Sequence, residues 1–241
     1  MIRPYPHLLR APISEALLDI GIEPTDDTHL PKIESFLELI QKDFSEQRAL
    51  YSKSFHLHLE DQAEAMASTR SKIIGQIAWA PDHSDAIQAR VDGFTLNRVK
   101  SYDGWDNLLR RAQKWWPLYA SAIGPKCVTR CRLRYMNKLF LAPGADLRDY
   151  LRSVPNIPQE LPSTLGSFVL QFALPFAEGR TVVIRQATQP DLSLLFDIDV
   201  FVSKQLDPQS SALWDEFEAL REIKNISFFS LLTPKAWEKY L

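Results

Sequence analysis

Two segments of the chain carry the same pattern of residues, and that pattern limits what it can fold into more than any other feature. Asp92-Gly93-Phe94 is followed by Trp105-Asp106 and a helical stretch, and Asp199-Val200-Phe201 by Trp214-Asp215 and another. The Asp and Phe pairs are each 107 positions apart and the Trp-Asp pairs 109 apart, a difference that one two-residue loop insertion reconciles. The implied architecture is a single domain made of two pseudo-repeats, at about 12–125 and 126–241. A chain of 241 residues is long enough for both halves to share one sizeable core.

Hydrophobic periodicity fills in the elements. Residues 16–23 alternate between Pro12 and Pro24 and read as a strand. Pro31 suits a first helical turn, and Ile33, Phe36, Leu37, Ile40 and Phe44 form an apolar helical stripe behind it. Strands are expected at 54–60, 72–80 and 86–99, and then a helix whose stripe runs from Trp105 through Leu108, Ala112, Trp116 and Tyr119 to Ile123, stopped by Gly124-Pro125. The second half repeats the order: a strand at 128–141, a short helix at 146–152, strands at 166–175, 180–187 and 192–203, and a helix from Leu213-Trp214 to Leu231. Thr233-Pro234 supplies a cap and first position for a terminal turn. Each half is thus β-α-β-β-β-α. Hairpin connections without helical crossovers make the sheet mainly antiparallel, and helices with one apolar stripe cover one face of it, an α+β fold.

The segments APISEALLDIGIEP, DGFTLNRVKSYDGWDNL, LRYMNKL, VPNIPQELPSTLGSF and LLTPKAWEKYL span nearly the whole chain. In them the chain resembles a sporadically distributed bacterial protein family of about this length and uncharacterised function. The resemblance implies no catalytic residues. Its sporadic distribution suits an accessory or defence-associated system. The duplicated plan also looks like the saddle of the TATA-box-binding protein or a helix-grip domain, an analogy of fold that transfers no function.

Composition excludes some functions. A net charge of −2 with acids and bases interspersed gives no global attraction to nucleic acid or anionic membrane. No apolar run approaches the ~18–20 residues of a bilayer span, and positions 1–10 lack a signal-peptide core, so the expected location is the cytoplasm. Cys127 and Cys131, the only cysteines, stand four positions apart in one expected strand, where they do not easily meet in a disulfide. No nucleophile elbow, zinc-protease helix, P-loop or dinucleotide fingerprint is present, and neither a cofactor nor catalysis is expected.

Three clusters could still carry chemistry. Arg130, Arg132 and Arg134 alternate on one strand and share a face at about 6.6 Å spacing, a row able to grip phosphate or carboxylate. Asp197 with Asp199, and Arg90 with Asp92, alternate on other strands and could neutralise that row through cross-strand ion pairs. His56, His58 and Glu60 line one strand face with metal-capable groups, although surface histidines suffice as the reading and no metal is expected. Asn97, Arg98, Tyr102, Asp103 and Trp105 gather at a strand-to-helix junction, where Asp103 would cap the helix and the group could rim a pocket. Ligand or anion binding is accordingly assigned to Arg130, Arg132, Arg134, Arg98 and Asn97.

The adjacent aromatics Trp115-Trp116 and Phe228-Phe229 cannot all face one side of a helix, so one of each pair fills a core or meets a partner. The expected function is that of a non-catalytic binding or interaction protein, with a homodimer or protein partner. A small-molecule or nucleotide sensor using the arginine face is the alternative, and a nucleic-acid binder the less expected second one.

Overall fold

The computed structural model describes residues 5–23, 30–58, 66–142, 144–158, 160–161, 167–191 and 193–241, and the side chains of all of these except 53–58 and 66–70. Among the described residues there are nine strands: β1 (Ile13–Ile22), β2 (Glu46–His58), β3 (Met66–Trp79), β4 (Asp85–Arg90), β5 (Gly93–Arg98), β6 (Val128–Phe140), β7 (Val169–Pro175), β8 (Thr181–Thr188) and β9 (Ser193–Leu206). The helices are α1 (Leu30–Ile40), α2 (Trp105–Ile123), α3 (Ala212–Leu231) and the short α4 (Pro234–Trp237). The strands form one sheet in the order β2-β3-β4-β5-β1-β6-β9-β8-β7, with antiparallel neighbours throughout. The fold is therefore α+β on an open antiparallel sheet. None of the described helices is long and apolar enough to cross a membrane.

Period-two alternation decides which face meets the helices. Ala16, Leu18 and Ile20 on β1, Phe94 and Leu96 on β5, Cys131, Leu133 and Tyr135 on β6, and Phe196, Ile198 and Val200 on β9 are buried as one apolar floor. Phe94 meets Trp116 and Tyr119 of α2, Phe36 of α1 meets Tyr119 edge-on, and Phe196 meets Phe228 of α3. Trp115 and Trp116 are both buried because they pack in different directions. Trp115 lies edge-on against Phe44, while Trp116 packs on Phe94 and donates to the Pro208 carbonyl at 2.9 Å. Cys131 lies in this floor and burial pushes its thiol up to about 12, while Cys127 precedes β6; both are free.

Several expectations are corrected. The strand expected at 86–99 is a hairpin, β4 and β5, folding at Val91-Asp92. Its marker is Asp92-Gly93: Gly93 has φ +154°, and a Cβ there would stand 2.4 Å from the Ile20 carbonyl oxygen. The first half consequently has five strands and the second four. The short helix at 146–152 is a 3₁₀ turn, Leu147–Asp149, capped by Asp146 accepting from the Arg148 N–H. Asp103 does not cap α2. Gly104 stands at the N-cap, and Asp103 is drawn away by Arg111, whose guanidinium grips both carboxylate oxygens at 2.6 and 2.8 Å. Thr233 holds the N-cap position of α4, but its hydroxyl donates to the Asp149 carbonyl instead.

Candidate functional site

The face of the sheet turned away from α1, α2 and α3 carries the arginine row. Arg132 grips Asp199 through two bonds of 2.7 Å, and Arg134 grips Asp197 at 2.8 and 2.7 Å. Arg130 reaches Asp19 on β1 at 2.8 Å. Each guanidinium leans along β6 to the aspartate one open-face step beyond its own position. Arg134 lies opposite Asp199 but bonds Asp197, and Arg130 lies opposite Gly21 but bonds Asp19. The glycines at 21 and 93 clear the way: a Cβ on Gly21 would come within 3.0 Å of Arg130, and one on Gly93 within 3.0 Å of Arg90.

The row extends on both sides. Arg90 donates to Asp19 at 2.8 Å and to Asp92 at 2.8 Å, and also bonds Thr95, whose hydroxyl donates to Asp19 at 2.7 Å. Arg185 on β8 donates to Asp197 at 3.2 Å and to Gln171 at 2.7 Å. Five arginines thus interlock with four aspartates, and the side chains of Asp19, Asp197 and Asp199 are only 5%, 1% and 4% exposed. Burial opposes charge on Asp19, but Arg90 and Arg130 overcome it and hold the carboxyl below its usual range. Such a ladder has most of its binding capacity turned inward.

The remaining candidates separate. Asn97 shares the open face with the row, in register with Leu17 and Arg134, while Arg98 points to the helix side. There Arg98 donates to Asp85 at 3.1 Å and to the Ser101 carbonyl, beside Arg111 and Asp103. Arg98 is therefore no part of the Arg130, Arg132, Arg134 group. His56 and His58 lie on β2 with side chains outside the described ones, and Glu60 and His29 lie outside the described residues.

A second locus lies on the helix side, between the start of α2, the middle of α3, β6 and the segment 5–13. It is a pocket of about 420 Å³. Tyr102, Asp103 and Trp105 line it, so the junction cluster does rim a pocket; Asn97 and Arg98 are not in its lining. Tyr102 and Tyr135 bond hydroxyl to hydroxyl at 2.9 Å with rings edge-on, and burial pushes the Tyr102 phenol up to about 12. Trp105 donates to Glu218 at 2.6 Å, and the same carboxylate takes Arg221 at 3.2 Å. Tyr5 stacks on Phe229 with ring centres 4.7 Å apart, which lays the 5–11 segment along the pocket.

Lys224 of α3 is the chemical centre of this pocket. Its ammonium lies 4.5 Å from the centre of the Tyr135 ring and bonds the Asn225 side-chain oxygen at 2.6 Å. Among the described residues no carboxylate bonds it. Burial lowers its pKa to about 7, Arg221 one turn earlier adds repulsion, and Glu222 only partly compensates. A half-buried amine with a depressed pKa, beside two tyrosines in a cavity of ligand size, marks a binding or reactive centre. The sequence signal was Lys224 itself, which stands seven residues after Phe217 and four before Phe228, on the helix stripe that faces the core.

No protein-family model matches the chain, and no curated protein matches it. Among solved structures, that of S. pombe Pct1 RNA triphosphatase in complex with the Spt5 CTD has 7% identity, over 91% of this chain and 80% of that one, at a TM-score of 0.15. A likeness at that level carries no argument about fold or function.

Proposed function

We propose that the chain is a non-catalytic binding protein that takes a small organic ligand into the pocket between α2 and α3. The observation that carries this reading is Lys224: an amine turned into a cavity of about 420 Å³, with no carboxylate bonded to it among the described residues. The open face offers the opposite condition. Arg130, Arg132 and Arg134 each hold an aspartate, so an incoming anion would have to displace a bonded carboxylate. The aromatics of α2 lend no support to a docking surface, because Trp115 and Trp116 are buried.

The reading includes descent of the fold from a duplication. Its support is topological: β1 and β6 pair at the centre, each beside the strand that leads into a long helix, β5 into α2 and β9 into α3. The Asp-x-Phe match does not add to it, since Phe94 is buried against α2 and Phe201 lies opposite Arg132 on the open face.

The test is native mass spectrometry of the protein purified from its own host. A discrete small mass on the wild type, lost from Lys224→Met and kept by Arg132→Gln, is the expected result. Loss from Arg132→Gln alone, in a variant whose circular dichroism and unfolding midpoint match the wild type, would move the ligand to the open face. A complex with another chain and no small mass would replace this reading with an interaction protein of a cytoplasmic accessory system.

A further inference from the structure

We infer that the pocket captures a 2-oxo acid or related carbonyl compound by reversible imine formation on the Lys224 amine, with Arg221 receiving the acid group. This rests on the pocket reading above and names its ligand class. The geometry supplies each part. Lys224 projects into the cavity over the Tyr135 ring, with its one hydrogen bond among the described residues going to the neutral Asn225 side chain. Its amine is accordingly not locked as the ammonium of an ion pair. Arg221 precedes it by one helical turn and lines the same cavity. Among the described residues its one hydrogen bond runs from NH1 to Glu218, and its guanidinium lies 5.5 Å from the centre of the Trp105 ring, so its remaining N–H groups are open to a carboxylate.

The chemistry balances without a further reactant. The neutral amine adds its electron pair to the carbonyl carbon, the nitrogen gives up its two protons to the former carbonyl oxygen, which leaves as water, and the C=N bond replaces C=O. Hydrolysis returns both partners. A desolvated lysine beside a second cation is the arrangement that supplies a neutral amine near neutral pH, and Lys224 at about 7 has one where an exposed lysine does not. The Tyr102–Tyr135 hydroxyl pair lines the cavity as a donor and acceptor for the oxygen that leaves.

The experiment uses the full chain, pyruvate and phenylpyruvate as probes, and sodium cyanoborohydride to fix any imine, read by intact mass and peptide mapping. One saturable adduct per chain is expected, at Lys224, formed roughly tenfold or more faster than at exposed lysines such as Lys42. Lys224→Arg is expected to lose it. Arg221→Gln is expected to slow capture of the oxo acids while leaving that of butyraldehyde, which has no acid group, within about twofold. Unsaturable labelling spread over surface lysines, or an adduct unchanged in Lys224→Arg, would overturn the inference. Both variants are compared with wild type by circular dichroism, and if Lys224→Arg does not fold, the wild-type peptide map decides in its place: excess phenylpyruvate should replace the pyruvate adduct at the Lys224 peptide, and two adducts on separate peptides would overturn the inference. A ligand held in the pocket by native mass spectrometry without any trapped adduct overturns imine capture and leaves the pocket reading standing.

Discussion

The open face of the central sheet and the pocket on its helix side handle charge in opposite ways. On the open face five arginines and four aspartates interlock, and the most deeply placed carboxylates each take more than one donor. In that pocket Lys224 has an amide, an aromatic ring and the like-charged Arg221 beside it, and among the described residues no carboxylate bonds it. The richer cluster is the weaker binding candidate. A ligand responds to unspent hydrogen-bonding and charge, so the state of the partners counts for more than the number of charged groups.

The sharpest way to break this comparison is to remove one carboxylate from the ladder. Asp197→Ala leaves Arg134 and Arg185 facing an empty position in a buried setting, and is expected to cost about 3–5 kcal/mol in urea unfolding. The double variant Asp197→Leu with Arg134→Met should recover much of that loss, because both buried charges then leave together. If Asp197→Ala were as stable as wild type, the arginines would not depend on their aspartates and the row would be an open anion site after all.

The pocket lysine should show the reverse sign. Its folded pKa of about 7 lies below the ordinary 10.5, so between those values the unfolded chain holds the proton more tightly and stability rises with pH. Below about pH 7 both states are charged and the burial penalty is fully present. Lys224→Met is therefore expected to be more stable than wild type at pH 6 by about 2–4 kcal/mol, with the gap closing toward pH 10. The other titratable groups lining the pocket, Tyr5, His7, Tyr102, Asp103, Tyr135 and Arg221, together with Glu222 on the same helix, are common to both proteins, so the difference between them isolates Lys224. Thermal unfolding across pH 6–10 measures it, and a constant gap would show that Lys224 stays charged when folded.

A third variant probes how the ladder is floored. Gly93→Ala drives a Cβ to 2.4 Å from the Ile20 carbonyl oxygen and to 3.0 Å from Arg90, and is expected to cost about 1–3 kcal/mol. Denaturant midpoints would show it, and an unchanged midpoint would mean that β1 and β5 can separate without loss.

Much of this was legible from residue order alone, for a physical reason. Alternation puts Arg130, Arg132 and Arg134 on one face of β6 and Asp197 with Asp199 on one face of β9, and because β6 and β9 are neighbours these are the same face of the sheet and the pairs form as side-chain periodicity requires. The partner of Arg130 was not legible. Asp19 reaches it only because β1 sits on the far side of β6, and strand order is a tertiary fact that no local pattern carries. The β4–β5 hairpin reads as one strand because apolar and polar residues keep alternating on both sides of the Asp92-Gly93 turn. Lys224 was passed over as one of many charged helix residues. Its lack of a carboxylate partner depends on what α2, β6 and the 5–13 segment bring to it, although its place on the apolar stripe was a readable warning.

The smallest effect is expected inside the pocket wall, and it separates wall from site. Tyr102→Phe removes one side of the 2.9 Å hydroxyl pair and leaves the Tyr135 hydroxyl without its partner, a stability loss of about 1 kcal/mol. The ring contact with Tyr135 is kept, so the shape of the cavity changes little. If the hydroxyl pair meets the ligand, the mass retained on the protein, or the yield of trapped imine, should fall by more than about tenfold, beyond what a 1 kcal/mol change in stability of a folded protein produces. Equal and small losses in both measurements would make the tyrosines structural and narrow the site to Lys224 and Arg221. The open face has no counterpart to this experiment. Each arginine and aspartate of its ladder is tied to a neighbour of opposite charge, and a single deletion among them reads first as instability.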